Sequence, residues 1–208
     1  MSAGYVLRLM RDRLEPGGRL SLPPVNRVLY VVEGQLSIEG ATLTANEARH
    51  RTGAVLAASA GGATALRYEL VRAGAPAPGG TLLLEHAITL DPAAAYLMRC
   101  DRVDFDLGGE ALPHRHKGGG IRCLIAGAME LRVEGEPERT LKPGQAWFES
   151  GREPVYARAA SDQATSFIRC AILPREIRGQ SSIVYVDPAH AGSKPRRYTV
   201  FVDEPIEL

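Results

Sequence analysis

GGEALPHRHKGGGIRCLIAG, residues 108–127, is the stretch from which the fold can be read. It sets His114 and His116 two apart in a segment that can be extended. In a strand, side chains at i and i+2 leave the backbone on the same side, so both imidazoles are expected to face one enclosed space. That is the start of a divalent-metal site. Further on, Ile121, Cys123 and Ile125 fall on one strand face, and Arg122, Leu124 and Ala126 on the other. Both faces are largely apolar, as expected of a strand covered on both sides. Gly127 supplies a bend before Met129, Leu131 and Val133 resume alternation.

The same grammar extends through the chain. Twenty-two glycines and fourteen prolines punctuate short runs rich in Val, Leu, Ile and Thr. Strands are expected at Tyr5–Leu9, Arg27–Val32, Gln35–Ile38, Thr81–Leu84, Ala95–Cys100, Ile121–Ala126, Met129–Val133, Ala146–Glu149 and Ser166–Ile172, with another after Pro154 through Tyr156 and Arg158. Ala54–Ala65 reads as a short buried strand and a turn. No stretch holds an apolar 3.6-residue period for three turns, so the expected class is all-β, a sandwich or barrel.

The chain also echoes itself. Asp12-Arg13-Leu14 returns as Asp101-Arg102-Val103, and Gly17-Gly18 before Leu22-Pro23 returns as Gly108-Gly109 before Leu112-Pro113. VLYVVEGQLSI (28–38) returns as IRCLIAGAMEL (121–131), the offset drifting from 89 to 93 residues. Two units of one plan are expected, residues 1–77 and 78–208, joined by the turn-rich Gly74-Ala75-Pro76-Ala77-Pro78-Gly79-Gly80. The end of the second unit carries two further strands, Ile183–Val186 and Tyr198–Val202. They are placed either to cover an edge of their own barrel or to add to the sheet of a neighbouring subunit.

Composition narrows the function classes. A formal charge of +1, with both signs mixed along the chain, gives no nucleic-acid footprint. The short basic run Lys194-Pro195-Arg196-Arg197 reads as a solvated loop. MSAGYVLRLMRDRLEP, at the start, has no apolar run of signal or membrane-span length, which points to a cytoplasmic protein. Cys100, Cys123 and Cys170 lack a CxxC pair and sit among apolar residues, so they are expected to be buried thiols.

Gly109, His114, His116 and Gly127, followed by the Pro143-Gly144 turn, resemble the cupin superfamily, and the duplication looks like a bicupin. The resemblance implies tandem double-stranded β-helix (jelly-roll) barrels, the first degenerate. It also implies a divalent metal (Fe, Mn, Ni or Zn) held by three histidines and a glutamate. Here that glutamate would fall at about Gly120 and the last histidine at Val155, and the first unit reads SLPPVNR in place of an HxH. Either the site holds a metal through a substitute carboxylate, or it holds none.

Glu110, Glu149 and Glu153 are the candidate substitutes, and Glu149 is the best placed, although it also reads as an exposed barrel-end carboxylate. The candidate metal set is therefore His114, His116 and Glu149. Arg122 interrupts a buried strand near the missing ligand. It reads as an anchor for a substrate carboxylate or as the partner of an acidic side chain on an outer face. Trp147 and Tyr156 are candidate pocket walls or core residues. Arg115 and Lys117 read as rim charges, and His86 as a partner of Glu85. The leading function is a small-molecule enzyme of dioxygenase, isomerase or lyase type, with or without assistance from a metal, and with Glu149 and Arg122 as its catalytic groups. The alternative is a noncatalytic small-molecule-binding or sensing bicupin. The resemblance also implies a homodimer.

Overall fold

A computed structural model describes residues 4–193 and 196–208, with the side chain of residue 56 left out. The described residues are all-β apart from two short 3-10 turns, Arg175–Ile177 and Pro188–Gly192. Lys194 and Pro195 of the basic run lie outside the described residues.

The chain divides into two compact units. One runs to Ala94 and includes Ile206–Leu208; the other spans Ala95–Pro205. The first contains β1 (Tyr5–Leu14), β2 (Arg19–Leu22), β3 (Asn26–Ile38), β4 (Ala41–Thr44), β5 (Ala48–Arg51), β6 (Val55–Ala58), β7 (Ala63–Arg72) and β8 (Thr81–Ile88). The second contains β9 (Tyr96–Phe105), β10 (Glu110–His116), β11 (Gly120–Ala126), β12 (Met129–Val133), β13 (Arg139–Leu141), β14 (Ala146–Glu149), β15 (Val155–Ala159), β16 (Thr165–Pro174), β17 (Ile183–Tyr185) and β18 (Arg196–Ile206).

The division differs from the one expected at residues 77 and 78. Strand β8 pairs antiparallel with β1, Tyr5 opposite Ile88 and Leu9 opposite Leu84, so residues 81–88 belong to the first unit. The Gly/Pro-rich stretch lies inside that unit because its carbonyls are held by buried arginines: Arg8 donates to Ala75 O and Pro76 O, and Arg67 to Pro78 O. Turn-forming composition marks a break in regular structure. It does not by itself mark a break between cores.

In the first unit the strands form one eight-stranded sheet. The long β3 pairs with β7 and β5 over its first part and with β4 and β6 over its second, so the sheet curls around Leu29, Val31, Leu36, Ile38, Leu43 and Val55. The runs expected at 27–32 and 35–38 are thus one strand, with a register shift between Val31 and Glu33.

In the second unit, two five-stranded sheets, β13-β12-β15-β10-β17 and β14-β11-β16-β9-β18, enclose a common core. Val103, Phe105, Leu124 and Trp147 come from one sheet, and Ala111, Leu131, Val155 and Ala157 from the other. Period-2 alternation puts these residues inside. The two expected tail strands are present and close edges of their own unit, β17 beside β10 and β18 beside β9. The all-β jelly-roll plan expected from the sequence is what the chain has. The three cysteines are buried thiols outside any disulfide, as expected.

Candidate functional site

Strand β10 delivers both histidines to the interior of the second unit. Their rings meet edge to face with centroids 4.9 Å apart, as the i, i+2 spacing requires. His114 lies opposite Val155 in the ladder, so the position expected to supply a last imidazole supplies an isopropyl group beside it. Across the other sheet, Gly120 on β11 lies opposite Glu149 on β14. The carboxylate absent from residue 120 is thus present on the neighbouring strand, and it faces inward. Glu149 is buried, so its reading as an exposed barrel-end carboxylate does not hold.

Glu149 is the hub of the cluster. Its Oε2 lies 2.8 Å from Arg122 Nη2 and 3.0 Å from His116 Nε2. Its Oε1 accepts a 2.7 Å hydrogen bond from Trp147 Nε1. Arg122 also donates to Gly120 O at 2.6 Å, so its fork is aimed by its own strand. The Trp147 ring packs edge-on against Phe167, centroids 5.3 Å apart, and this contact holds the indole N–H in place.

Protonation states follow from these contacts. A carbonyl only accepts, so His114 carries its proton on Nδ1, which lies 2.7 Å from Leu112 O. Burial pushes both rings toward the neutral form, His116 down to about 3 against the opposing pull of Glu149. A neutral His116 beside a carboxylate presents its proton on Nε2, leaving Nδ1 buried without a hydrogen-bond partner. Burial alone would raise the Glu149 carboxyl, but the Arg122 charge and the bonds from His116 and Trp147 outweigh it and hold Glu149 ionised, well below the usual carboxylate range. Burial lowers Arg122 to about 10, against the attraction of Glu149.

This donor set does not fit a divalent ion. Both carboxylate oxygens of Glu149 are engaged, one of them by a guanidinium that already balances its charge. The His116 nitrogen nearest that carboxylate acts as a donor. Among the described residues no three His, Cys, Asp or Glu side chains converge as a ligand group.

The other candidates lie elsewhere. Tyr156 is outside the cluster: its hydroxyl donates to Glu110, and Arg132 lies over its ring at 5.2 Å. Glu110 is committed to that contact. Glu153 is exposed and paired with Ser150. Arg115 points outward and donates to Arg152 O, in line with a rim charge, and Lys117 is exposed. His86 is exposed on β8 and bonds Ala87 O through Nδ1, while its partner expected from the sequence, Glu85, lies opposite Arg8 in the ladder. Arg122 pairs with an acidic side chain, but the partner, Glu149, is buried inside the unit and not on an outer face as expected.

The space left around the cluster is about 20 Å³, room for a water and no more. A second cavity of about 350 Å³ shares Arg169 and Tyr198 with it as a common wall. Sequence reading missed the residues of that wall. Arg169 is held by both oxygens of Asp101, and Arg99 by both oxygens of Asp203 at 2.8 and 3.1 Å. A signal was available: Arg99 and Arg169 each interrupt an apolar strand, as Arg122 does, and Asp101 stands in the repeated Asp-Arg-Leu/Val block.

Neither a family model nor a curated protein matches the sequence. Solved structures do match in fold. Salicylate 1,2-dioxygenase from Pseudaminobacter salicylatoxidans is 11% identical with a TM-score of 0.56 over 94% of this chain and 75% of its own. The coconut allergen cocosin gives 12%, 0.62, 89% and 84%, and a putative glyoxylate-induced protein from Pseudomonas aeruginosa 15%, 0.59, 81% and 74%. A cupin 2 conserved barrel domain protein from Leptotrichia buccalis gives 13% and 0.50, over 83% of this chain and 85% of its own. The fold of the chain is therefore a cupin fold.

Proposed function

We propose that the chain is a small-molecule-binding protein that uses the second unit as its site and works without a resident metal. The carrying observation is Arg122, whose guanidinium sits 2.8 Å from the carboxylate that a metal would need. The fixed cation of the cluster is part of the chain. Of the two functions expected from the sequence, this favours the noncatalytic binding or sensing protein over the metal-assisted enzyme.

The two units are, in this reading, copies of one barrel plan. Each carries an inward arginine gripped at both ends by an aspartate from its first strand: Arg67 by Asp12 at 2.7 and 3.0 Å, and Arg169 by Asp101. These aspartates open the repeated Asp-Arg-Leu/Val blocks. In the first unit the next row of the ladder, Arg27–Glu69–Arg8, is a fully buried ion cluster that fills the interior. In the second, the corresponding row is Gly120–Ala171–Arg99, with Glu149 beside it. The second unit lacks that buried ion row, and this supports it as the ligand-binding one.

A cytoplasmic location and a homodimer complete the proposal. Three buried thiols outside any disulfide support the first. No helix among the described residues is long and apolar enough to cross a membrane. The exposed Val184 and Val186 at the β17 edge support the second.

The test is metal retention. The full chain, equilibrated with Fe(II), Mn(II), Ni(II) or Zn(II) and dialysed, should keep no stoichiometric ion by elemental analysis. One ion per chain, lost in the His114→Ala/His116→Ala double variant, would overturn the metal-free reading and restore the enzyme of dioxygenase, isomerase or lyase type.

A further inference from the structure

The 350 Å³ cavity lies within the size range of small-molecule sites, and the C-terminal tail builds one side of it. Strand β18 contributes Tyr198, Val200 and Asp203, and the segment leading into β17 contributes Gly179 through Ile183. The body of the unit contributes Arg99, Asp101 and Arg169. That segment is fixed in place. Arg99 donates to Gln180 O at 2.7 Å and to Ile177 O at 3.0 Å, Gly179 N donates to Asp203 Oδ2 at 2.7 Å, and Lys117 N donates to Ser182 O at 2.9 Å. Arg169 Nη1 reaches Ser182 Oγ at 3.3 Å. Arg99, Asp101, Arg169 and Ser182 are each at least nine-tenths buried.

The charges of the lining cancel. Arg99 closes on Asp203 and Arg169 on Asp101, each through two hydrogen bonds. An ionic ligand would have to open one of these pairs and strand a buried charge. The polar groups left to a ligand are neutral. Ser181 Oγ accepts from Ile183 N, and Tyr198 Oη accepts from Arg196 Nε at 2.7 Å, so each keeps a hydroxyl proton to donate. The apolar part of the wall is Ile183, Val200 and the Tyr198 ring, and Gln180 adds a further neutral polar group. Val200 and Tyr198 are 54% and 42% exposed, an unusual state for large apolar side chains lining a concavity.

We infer that this cavity binds an uncharged, ring-bearing small molecule with hydroxyl groups, stacked against Tyr198 and Val200 and hydrogen-bonded to Ser181 and Tyr198. The inference rests on the ligand-binding reading above and adds to it the place and the ligand class.

The test uses two dyes that differ by one charge, N-phenyl-1-naphthylamine and its sulfonate, 1-anilinonaphthalene-8-sulfonate. The full chain should bind the neutral dye saturably, one per chain, about ten-fold more tightly than the anion. Energy transfer from Trp147, the single tryptophan, reports the binding. Val200→Phe and Ser181→Phe, which fill the cavity from its rim, should each weaken the neutral dye by about five-fold or more with unchanged melting temperature. 1-Naphthol should displace the dye at lower concentration than naphthalene does. Equal binding of the two dyes, or naphthalene competing as well as 1-naphthol, overturns the ligand class. Binding untouched by either filling variant but lost in Arg122→Met overturns the place and leaves the ligand-binding reading standing. No saturable binding of any probe overturns both.

Discussion

At the scale of single residues, the second unit turns on the Arg122–Glu149 pair. Arg122→Met takes away the cation that offsets the buried Glu149 carboxylate and leaves only His116 and Trp147 as its partners, and removing one member of a buried pair costs about 3–5 kcal/mol. Urea unfolding should show that loss, and the Arg122→Met/Glu149→Gln double variant should recover part of it, since the stranded charge is then gone. The pH dependence has a definite sign. His116 titrates at about 3 in the folded chain, below the 6.5 of a free imidazole. The stability held by the neutral ring is therefore complete above about pH 6.5 and drains as the pH falls toward 3. Burial shifts His114 in the same direction, and the depressed carboxyl of Glu149 adds a further loss below its ordinary 4.5. Stability should be level above neutrality and fall below about pH 6.5 by up to about 1.4 kcal/mol per unit for each ring that titrates. His116→Gln should flatten part of the slope between 6.5 and 4.5, because the amide keeps a donor for Glu149 and does not titrate. A slope unchanged in that variant would remove His116 from the account. The histidine pair was legible in the sequence because strand parity alone decides it. The grip of Arg122 on Glu149 was not, because cross-strand register cannot be read from two separate runs.

At the scale of elements, the close seating of β11 on β16 explains why residue 120 carries no carboxylate. A Cβ at Gly120 would stand 2.6 Å from Cys170 O and 2.8 Å from Ala171 Cα, both backbone atoms. Gly120→Ala should cost about 1–3 kcal/mol through overpacking, read as a lowered melting temperature with the fold retained by circular dichroism. An unchanged melting temperature would show that the two strands can separate freely there. Strand legibility followed the same physics. Runs with clean alternation, such as Met129–Val133, were found at their true ends. The whole of β7 was passed over, because Arg67 and Glu69 stand at inward positions where the alternation rule expects apolar side chains. Their burial is tolerated only because partners on β1 and β3 neutralise them.

For the whole molecule, the all-β class was legible but the limit of the first unit was not, since the pairing of β8 with β1 leaves no local trace. The β17 edge makes the homodimer testable. Val184 is 48% exposed on an outermost strand, and a charge on such an edge discourages pairing between chains. Sedimentation equilibrium should give a dimer for the natural chain and a monomer for Val184→Lys at equal melting temperature; a natural chain that sediments as a monomer removes the dimer. The buried ion row of the first unit has a different consequence, one for folding. If the two units are copies of one plan, as proposed above, they invite exchange of strands between them, a known failure of repeated domains. The arginine shared by β7 and β16 does not by itself prevent it, because each half grips its arginine with an aspartate of its first strand, diagonally for Asp12 and directly opposite for Asp101. The next row can. If β16 took the place of β7 in that register, Ala171 would replace Glu69, and Arg8 and Arg27 would be shut in with no carboxylate between them. The first half thus carries its own check against being completed by the second.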